Sequence, residues 1–378
     1  MSSLKEIFQL YGAGYLREYC EDILPSHRRV MRDILCCRSG EFGGHTFYCE
    51  DCDSYHYAYH SCRNRHCPQC QHKRADGWLA QQTQKLLPVE YFMATFTLPE
   101  GLRGVVRSHQ KQLYHLFFQA SAESLKALAA DRRHLGGQLG MVGVLQTWAR
   151  TLTYHPHIHY LIPGLGISVD GERLRFAREG FLMHAAPLSQ IFRGKFRDGM
   201  RKAGLYEQVP AEVWDQNWVI DIRSVGRGEA ALKYLAAYLY RIAISHKNIL
   251  SCEEGRVAFR YKDRDSGAYK TIRLAANEFI RRFLQHVLPK GFQKVRYFGF
   301  LSTQQRYLLD QIRLLLRARC QPIQEPPIPR DPVFNCPNCG KAMVLIKPGI
   351  RKRAPPLAEI LAKNGVQQSV FTQCSIPS

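Results

Sequence analysis

No stretch of the 378 residues approaches the roughly 18 consecutive apolar side chains that crossing a bilayer requires. The opening MSSLKEIFQLYGAGYLREYC lacks the apolar core of a secretion signal. Both absences point to an intracellular protein. No internal repeat is visible, which sets aside solenoids and propellers. Strict βα alternation is missing as well, which argues against a barrel hydrolase. Acidic side chains are scarce: 32 Asp plus Glu stand against 53 Lys plus Arg, a net charge of +21. A surplus of that size attracts polyanions, nucleic acid foremost.

What is abundant is cysteine. There are 13, and seven of them lie between Cys36 and Cys70. Disulfides are disfavoured inside a cell, so clustering points to metal. Cys49-x-x-Cys52 and Cys67-x-x-Cys70 are two knuckles separated by 14 residues, a spacing close to that of a four-thiolate zinc site. Cys37, His45, Cys62 and His66 are further candidate ligands that could complete a second site, although both histidines are equally compatible with a solvated surface. Cys36 reads as a buried neighbour. The segment SCRNRHCPQCQHKR interleaves Arg63, Arg65, Lys73 and Arg74 with the ligands, so zinc would hold those cations rigid for phosphates. Cys336-x-x-Cys339 is half a site, with Cys374 a distant third ligand.

Strand patterns are expected at VEYFMATFTL (89–98), 141–147, 155–162, WVIDI (218–222) and KVRYFGFL (294–301). Helical patterns cover 109–128, 229–244, 276–287 and 304–319, and a helix-like stretch leads to Leu86 and Leu87. Asp170-Gly171 marks one hairpin, and two strands flank Asp265-Ser266-Gly267. The proline-rich QPIQEPPIPRDP reads as a linker. The expected organisation is a zinc-binding unit with helical flanks at 1–85, a main domain at 86–319, and a proline-rich linker with a basic tail carrying the CPNC half-site at 320–378. Mixed strands and helices without regular alternation predict an α+β fold.

Two segments carry chemistry. In Tyr154-His155-Pro156-His157-Ile158-His159-Tyr160, strand alternation puts the three histidines on one face and Ile158 and Tyr160 on the other. His157 and His159 can share one divalent cation, with His155 or Gln146 as candidate third ligand. Three surface or core histidines are the plain alternative. In the 229–244 helix, Leu232, Leu235, Leu239 and Ile242 form the apolar stripe. Tyr234 and Tyr238 share a face at i, i+4, and Arg241 follows at i+7. Ordinary packing is the plain alternative there too.

HPHIH, ALKYLAAYLYRIAIS and GGHTFYCEDC…SCRNRHCPQCQ occur in that family's order along with YFMATFTLP, EFIRRFLQHVLPKGF and RYFGFLS: the sequence resembles the HUH rolling-circle transposases of the two-tyrosine insertion-sequence type, which carry an N-terminal zinc-binding domain. The resemblance spans roughly Ser26 to Leu301. It implies a central antiparallel sheet bearing His157 and His159 as ligands of Mg²⁺ or Mn²⁺, with Tyr234 and Tyr238 as nucleophiles. It further implies structural Zn²⁺, single-stranded transposon ends and target DNA as partners, and a bacterial-type, cytoplasmic, nucleoid-associated location. Attack by a tyrosine would leave a 5′-phosphotyrosine and a free 3′-hydroxyl, and the second tyrosine would permit a second cut. Two positions depart from the family pattern: Gln146 stands where a His is frequent, and Ala237 where a basic residue often precedes the second tyrosine. The rival readings are a non-catalytic zinc-dependent DNA-binding protein, such as a decayed transposase, and a metallohydrolase acting on a small substrate.

Overall fold

The computed structural model describes residues 3–70, 83, 86–228, 230, 232–233, 243–316 and 334–363. Two helices, Leu4–Glu18 and Pro25–Leu35, open the chain. The first starts in a capping box, with Ser3 and Glu6 each accepting from the other's backbone N–H. The second has proline in its first turn, where a missing N–H costs nothing. A hairpin of β1 (Gly44–Cys49) and β2 (Ser54–Tyr59) follows. Next come β3 (Glu90–Thr97), the helices Arg103–Ser108 and Gln110–Ala130, β4 (Gln138–Leu139), β5 (Met141–Trp148) and β6 (Tyr154–Pro163). The short strands β7 (Leu165–Ile167) and β8 (Leu174–Phe176) flank the expected Asp170-Gly171 turn. After the helix Ala185–Lys202 come β9 (Ile220–Arg227), then β10 (Ile249–Glu253), β11 (Arg256–Lys262) and β12 (Tyr269–Ala275). The helix Ala276–Leu284, β13 (Val295–Phe298) and the helix Arg306–Leu315 complete the main body. Beyond the proline-rich segment lie β14 (Val344–Lys347) and the helix Leu357–Lys363.

The central sheet has five strands in the order β13-β5-β6-β3-β9, all antiparallel to their neighbours. Together with the flanking helices it makes the α+β architecture that the sequence predicts. Period-two alternation divides its side chains cleanly. Phe92, Ala94 and Phe96 of β3 and Ile158, Tyr160 and Ile162 of β6 face the helices Gln110–Ala130 and Ala185–Lys202. Gly143 belongs to that face for a steric reason: a Cβ there would stand 2.6 Å from a Tyr160 ring carbon. The opposite face carries Met93, Val142, Val144 and Leu161 in a second apolar cluster, and the histidines continue its rows.

The strand expected from Trp218 begins only at Ile220. Trp218 is drawn into the helical layer instead, where its indole N–H donates to the Val213 carbonyl at 2.9 Å and its own carbonyl accepts from Ser189.

A third core joins the two N-terminal helices to β10–β12, the helix Ala276–Leu284 and the last helix; Phe8 meets Phe283 edge-on at 5.8 Å. The described residues 334–363 return to the N-terminal unit. β14 pairs with β1, extending the hairpin to a three-stranded sheet in the order β14-β1-β2. No helix among the described residues is long and apolar enough to cross a membrane.

Candidate functional site

The helix Pro25–Leu35 delivers Cys37 to a buried corner, where it meets Cys62, Cys67 and Cys70. The Sγ–Sγ separations are 3.6 Å for Cys37–Cys70, 3.5 Å for Cys62–Cys70 and 3.6 Å for Cys37–Cys67. A tetrahedron with 2.3 Å Zn–S bonds has edges of about 3.8 Å, so the four sulfurs fit zinc closely. Backbone amides turn toward the sulfurs: Cys62 N–H to Cys37 Sγ at 3.5 Å and Asn64 N–H to Cys62 Sγ at 3.4 Å. The turns that aim them are left-handed, with Arg38 at φ 53° and Arg63 at φ 57°. Such conformations cost a non-glycine residue on the order of 1 kcal/mol each and persist where a ligand holds them.

Cys49 and Cys52 do not join Cys67 and Cys70, which corrects the expected four-thiolate pairing. They meet Cys336 and Cys339 instead, at 3.6 Å for Cys49–Cys339 and 3.9 Å for Cys52–Cys336. The reason is the hairpin. Cys49 and Cys52 sit at its tip, whereas Cys62 follows its base, and six-residue strands span about 20 Å. The same left-handed turn recurs, at Asp53 (φ 45°) after Cys52 and at Gly340 (φ 75°) after Cys339. The half-site CPNC thus finds its other half at the opposite end of the chain.

Neither candidate histidine enters a cluster. His45 Nδ1 accepts from the Gly349 amide at 3.1 Å, fastening the returning tail. His66 Nε2 accepts from the Leu288 amide at 3.4 Å, and burial holds its pKa well below the usual value. Cys36 is the buried neighbour expected, its thiol pushed up to about 11 chiefly by desolvation.

On the open face of the central sheet, His155, His157 and His159 follow one another, with ring centroids 5.3 and 4.9 Å apart. Their hydrogen bonds orient the rings and set the tautomer of His155 and His157. His157 Nδ1 lies 2.7 Å from the His155 carbonyl oxygen, which can only accept. The proton is therefore on Nδ1 and the lone pair on Nε2. His159 Nδ1 pairs with Thr95 Oγ1 at 3.0 Å, a hydroxyl that can donate or accept, and its Nε2 is buried. Such a second contact is how metal-ligating imidazoles are oriented. His155 differs. An Arg103 guanidinium N–H donates to its Nδ1 at 3.0 Å, which puts the ring proton on Nε2. In that tautomer neither nitrogen has a lone pair for a cation. Burial and the Arg103 charge both lower its pKa and keep it neutral. Gln146 is buried on β5 directly across from His157.

Among the expected phosphate contacts, Arg63 is exposed. Arg65 is turned inward, donating to the Phe292 carbonyl at 2.6 Å and bracing the cysteine-rich unit against the main body. Lys73, Arg74, Tyr234, Tyr238 and Arg241 lie outside the described residues. Of the expected apolar stripe only Leu232 is described, and it is buried beside Val142 and Leu161, on the histidine face. The role of Arg103 has no sequence signal, since it belongs to no motif; Thr95 lies within the quoted stretch YFMATFTLP, but nothing in that stretch pairs it with His159.

Two family models match the chain: one described as "Transposase zinc-binding domain" over residues 7–98, and one described as "Putative transposase" over residues 140–307. The protein named "Putative transposase y4qJ" from Sinorhizobium fredii (strain NBRC 101917 / NGR234) is 36% identical over 372 residues, covering 90% of this chain and 93% of its own. The "Transposase for insertion sequence element IS801" of Pseudomonas savastanoi pv. phaseolicola is 27% identical, with 83% of this chain and 82% of its own covered. The chain belongs to the IS91-type family of two-tyrosine transposases. No solved structure matches it. The zinc-binding match ends at residue 98, whereas the structure completes the second cysteine cluster of this transposase with Cys336 and Cys339. The two four-cysteine clusters support structural zinc in this transposase.

Proposed function

We propose that this transposase nicks and rejoins single-stranded DNA at the ends of its element through a 5′-phosphotyrosine. His157 and His159 hold Mg²⁺ or Mn²⁺, and Tyr234 and Tyr238 are the nucleophiles. The observation that carries this reading is the hydrogen bonding of two adjacent imidazoles on one strand: the His155 carbonyl holds the proton on His157 Nδ1, which puts the lone pair on its Nε2, and Thr95 holds His159 through Nδ1. When bound, the cation supplies charge neutralisation at the scissile phosphate. Gln146, across from His157, supplies the third ligand through its side-chain oxygen, whereas Arg103 keeps His155 out of the set. A phenol has an ordinary pKa of about 10, so the tyrosine gains most from cations that favour the phenolate, Arg241 among them. The tyrosine's oxygen forms the new bond to phosphorus as the bond to the 3′-oxygen breaks. Phosphotyrosine conserves the energy of the broken bond, so rejoining strands needs no ATP.

The ends of the tyrosine segment support its placement at this site. Leu232 packs at Val142 and Leu161, and Ala243 lies beside Thr147 and Trp148. Along β5 these anchors fall on either side of Gln146, the partner of His157.

Labelled single strands carrying the element ends should form a denaturant-stable protein–DNA species. Tyr234→Phe with Tyr238→Phe should abolish it, and His157→Ala with His159→Ala should do the same while DNA binding and melting temperature are kept. Either single Phe variant should retain some nicking but lose complete transposition. Tyr240 is about 200° around a helix from Tyr238, so Tyr240→Phe should be near neutral. DNA binding without any adduct in the parent protein would favour the non-catalytic alternative.

A further inference from the structure

The sheet of the cysteine-rich unit has a face that the catalytic reading does not use. β2 is its outer strand, and every second residue on it is an exposed tyrosine: Tyr55 at 69%, Tyr57 at 47% and Tyr59 at 48% of full exposure. Register adds Tyr48 opposite Tyr55, and Thr46 and Gly44 opposite Tyr57 and Tyr59. The rings form two pairs, Tyr48 with Tyr55 at 4.9 Å and Tyr57 with Tyr59 at 4.7 Å. Gly44 is required beneath them, because a Cβ there would stand 2.8 Å from a Tyr57 ring carbon. Cations border one end. Lys347 pairs with Thr46 in the next row, and Lys352 lies against Gly43 and hydrogen-bonds through its amide to the Phe42 carbonyl. Arg353 beside it is exposed. The hairpin tip is acidic, with Glu50, Asp51 and Asp53, and Tyr48 donates to Asp53 at 2.6 Å.

Aqueous surfaces rarely carry four aromatic rings in a row without a partner, and the charge pattern selects the partner here. We propose that the tyrosine face of β1 and β2 is a stacking platform for unpaired bases of single-stranded DNA. Its phosphates would run along Lys347, Lys352 and Arg353, and Tyr57 and Tyr59 would make the main contacts because they lie away from the acidic tip. Every base has a flat π-face, so such a platform holds a strand without reading its sequence. A base paired within a duplex offers no such face. The proposal rests on the reading that the substrate is single-stranded, but it assigns a separate site from the histidine face.

The test uses full-length, zinc-loaded protein and a dye-labelled 20-nucleotide oligo(dT), with a blunt duplex of equal length as control. The triple variant Tyr55→Ala/Tyr57→Ala/Tyr59→Ala should bind the single strand at least about tenfold more weakly and the duplex as the parent does. The corresponding triple Phe variant keeps the rings and should retain parental affinity. Cleavage of an end-bearing strand at saturating DNA should persist in the Ala variant, which separates this site from catalysis. If the triple Ala variant loses zinc, Tyr57→Ala and Tyr59→Ala are read singly, each with a weakening of at least about threefold expected. Parental affinity in zinc-replete Ala variants, an equal loss on duplex, or equal loss in the Phe variant would each overturn the proposal. A parent that binds oligo(dT) through these tyrosines yet never forms an adduct would leave the platform standing and remove the catalytic reading.

Discussion

The two cysteine clusters share a ligand set and a turn geometry yet differ in how the chain brings them together. The first is local: Cys37 and Cys70 are 33 residues apart, three of its four cysteines are buried, and its surroundings are the core shared with the helix Ala276–Leu284. The second joins the chain's two ends: Cys49 and Cys339 are 290 residues apart, Cys339 is exposed, and its apolar surroundings are a handful of residues such as Phe47, Phe334 and Met343. Closing a loop of 290 rather than 33 residues is about three doublings, roughly 2 kcal/mol of extra entropy at 0.6 kcal/mol each. Identical coordination chemistry therefore stands on unequal support. The local cluster is part of a core, and the distant one is a clasp that secures a returning segment.

The largest effect should come from breaking the local cluster. A structural zinc site contributes on the order of 10 kcal/mol to folding. Cys67→Ser should lose one equivalent of zinc and unfold the N-terminal helices cooperatively, seen as loss of the parental melting transition. Cys36→Ser is the matched control, since Cys36 is buried alongside but belongs to neither cluster. It should retain both metal equivalents. Full zinc content and a parental melt in Cys67→Ser would show that packing alone holds this corner.

A smaller effect is expected at the clasp. Cys336→Ser with Cys339→Ser should also lose one zinc, but the main body should melt near its parental temperature while residues 334–363 become open to protease. A chelator added to the parent should remove zinc in two phases, with the exposed clasp emptying first, and only the slow phase should remain in the double variant. A single phase in the parent would erase the distinction between the clusters.

This distinction was not legible in the sequence. Cys49/Cys52 and Cys67/Cys70 have the same spacing and stand close together, so proximity pairs them; only the length of the intervening hairpin forbids it. The alternation in Ser54–Tyr59 is the signal that would have revealed that hairpin. The return of Cys336 to Cys49 is a long-range event that no window of residues encodes. By contrast, β3, β6 and the helix Gln110–Ala130 followed their apolar periods closely, because each buries one face against a single layer. The histidine row was legible for the same reason, since strand alternation alone puts all three on one side. Which of them Arg103 would occupy was not, because that contact spans 52 residues. The helix Ala185–Lys202 escaped the reading, and the two N-terminal helices were expected only as helical flanks without bounds, although the Ser3-x-x-Glu6 capping box marks the first of them.

The smallest effects should reveal what fastens the clasp besides metal. Among the described residues three cationic side chains bridge the returning segment to the N-terminal unit: Lys363 pairs with Glu41 at 3.3 Å, and Lys341 and Arg351 are differently placed. Lys341 pairs with Asp51 beside the distant cluster, where both side chains are largely open to water. Exposed ion pairs contribute little, because water screens the attraction and fixing two long side chains costs entropy. Arg351 reaches instead to the local cluster. It donates to the Ser61 carbonyl at 2.6 Å and the Cys62 carbonyl at 3.2 Å, and its guanidinium lies 4.6 Å from the Phe42 ring centroid. Planar guanidinium geometry allows the two hydrogen bonds and the stacking at once, which an ammonium cannot reproduce. Arg351→Ala should therefore lower stability by about 1 kcal/mol, a shift in melting temperature of roughly 1 °C at an unfolding entropy of about 2.1 cal/mol/K per residue. Lys341→Ala should leave the melt unchanged within error, and Arg351→Lys should recover only part of the loss. With Cys336 and Cys339 also replaced, Arg351→Ala should have a smaller effect than in the parent, because the segment it secures is already detached. Full additivity would mean that Arg351 stabilises the local cluster independently of the clasp.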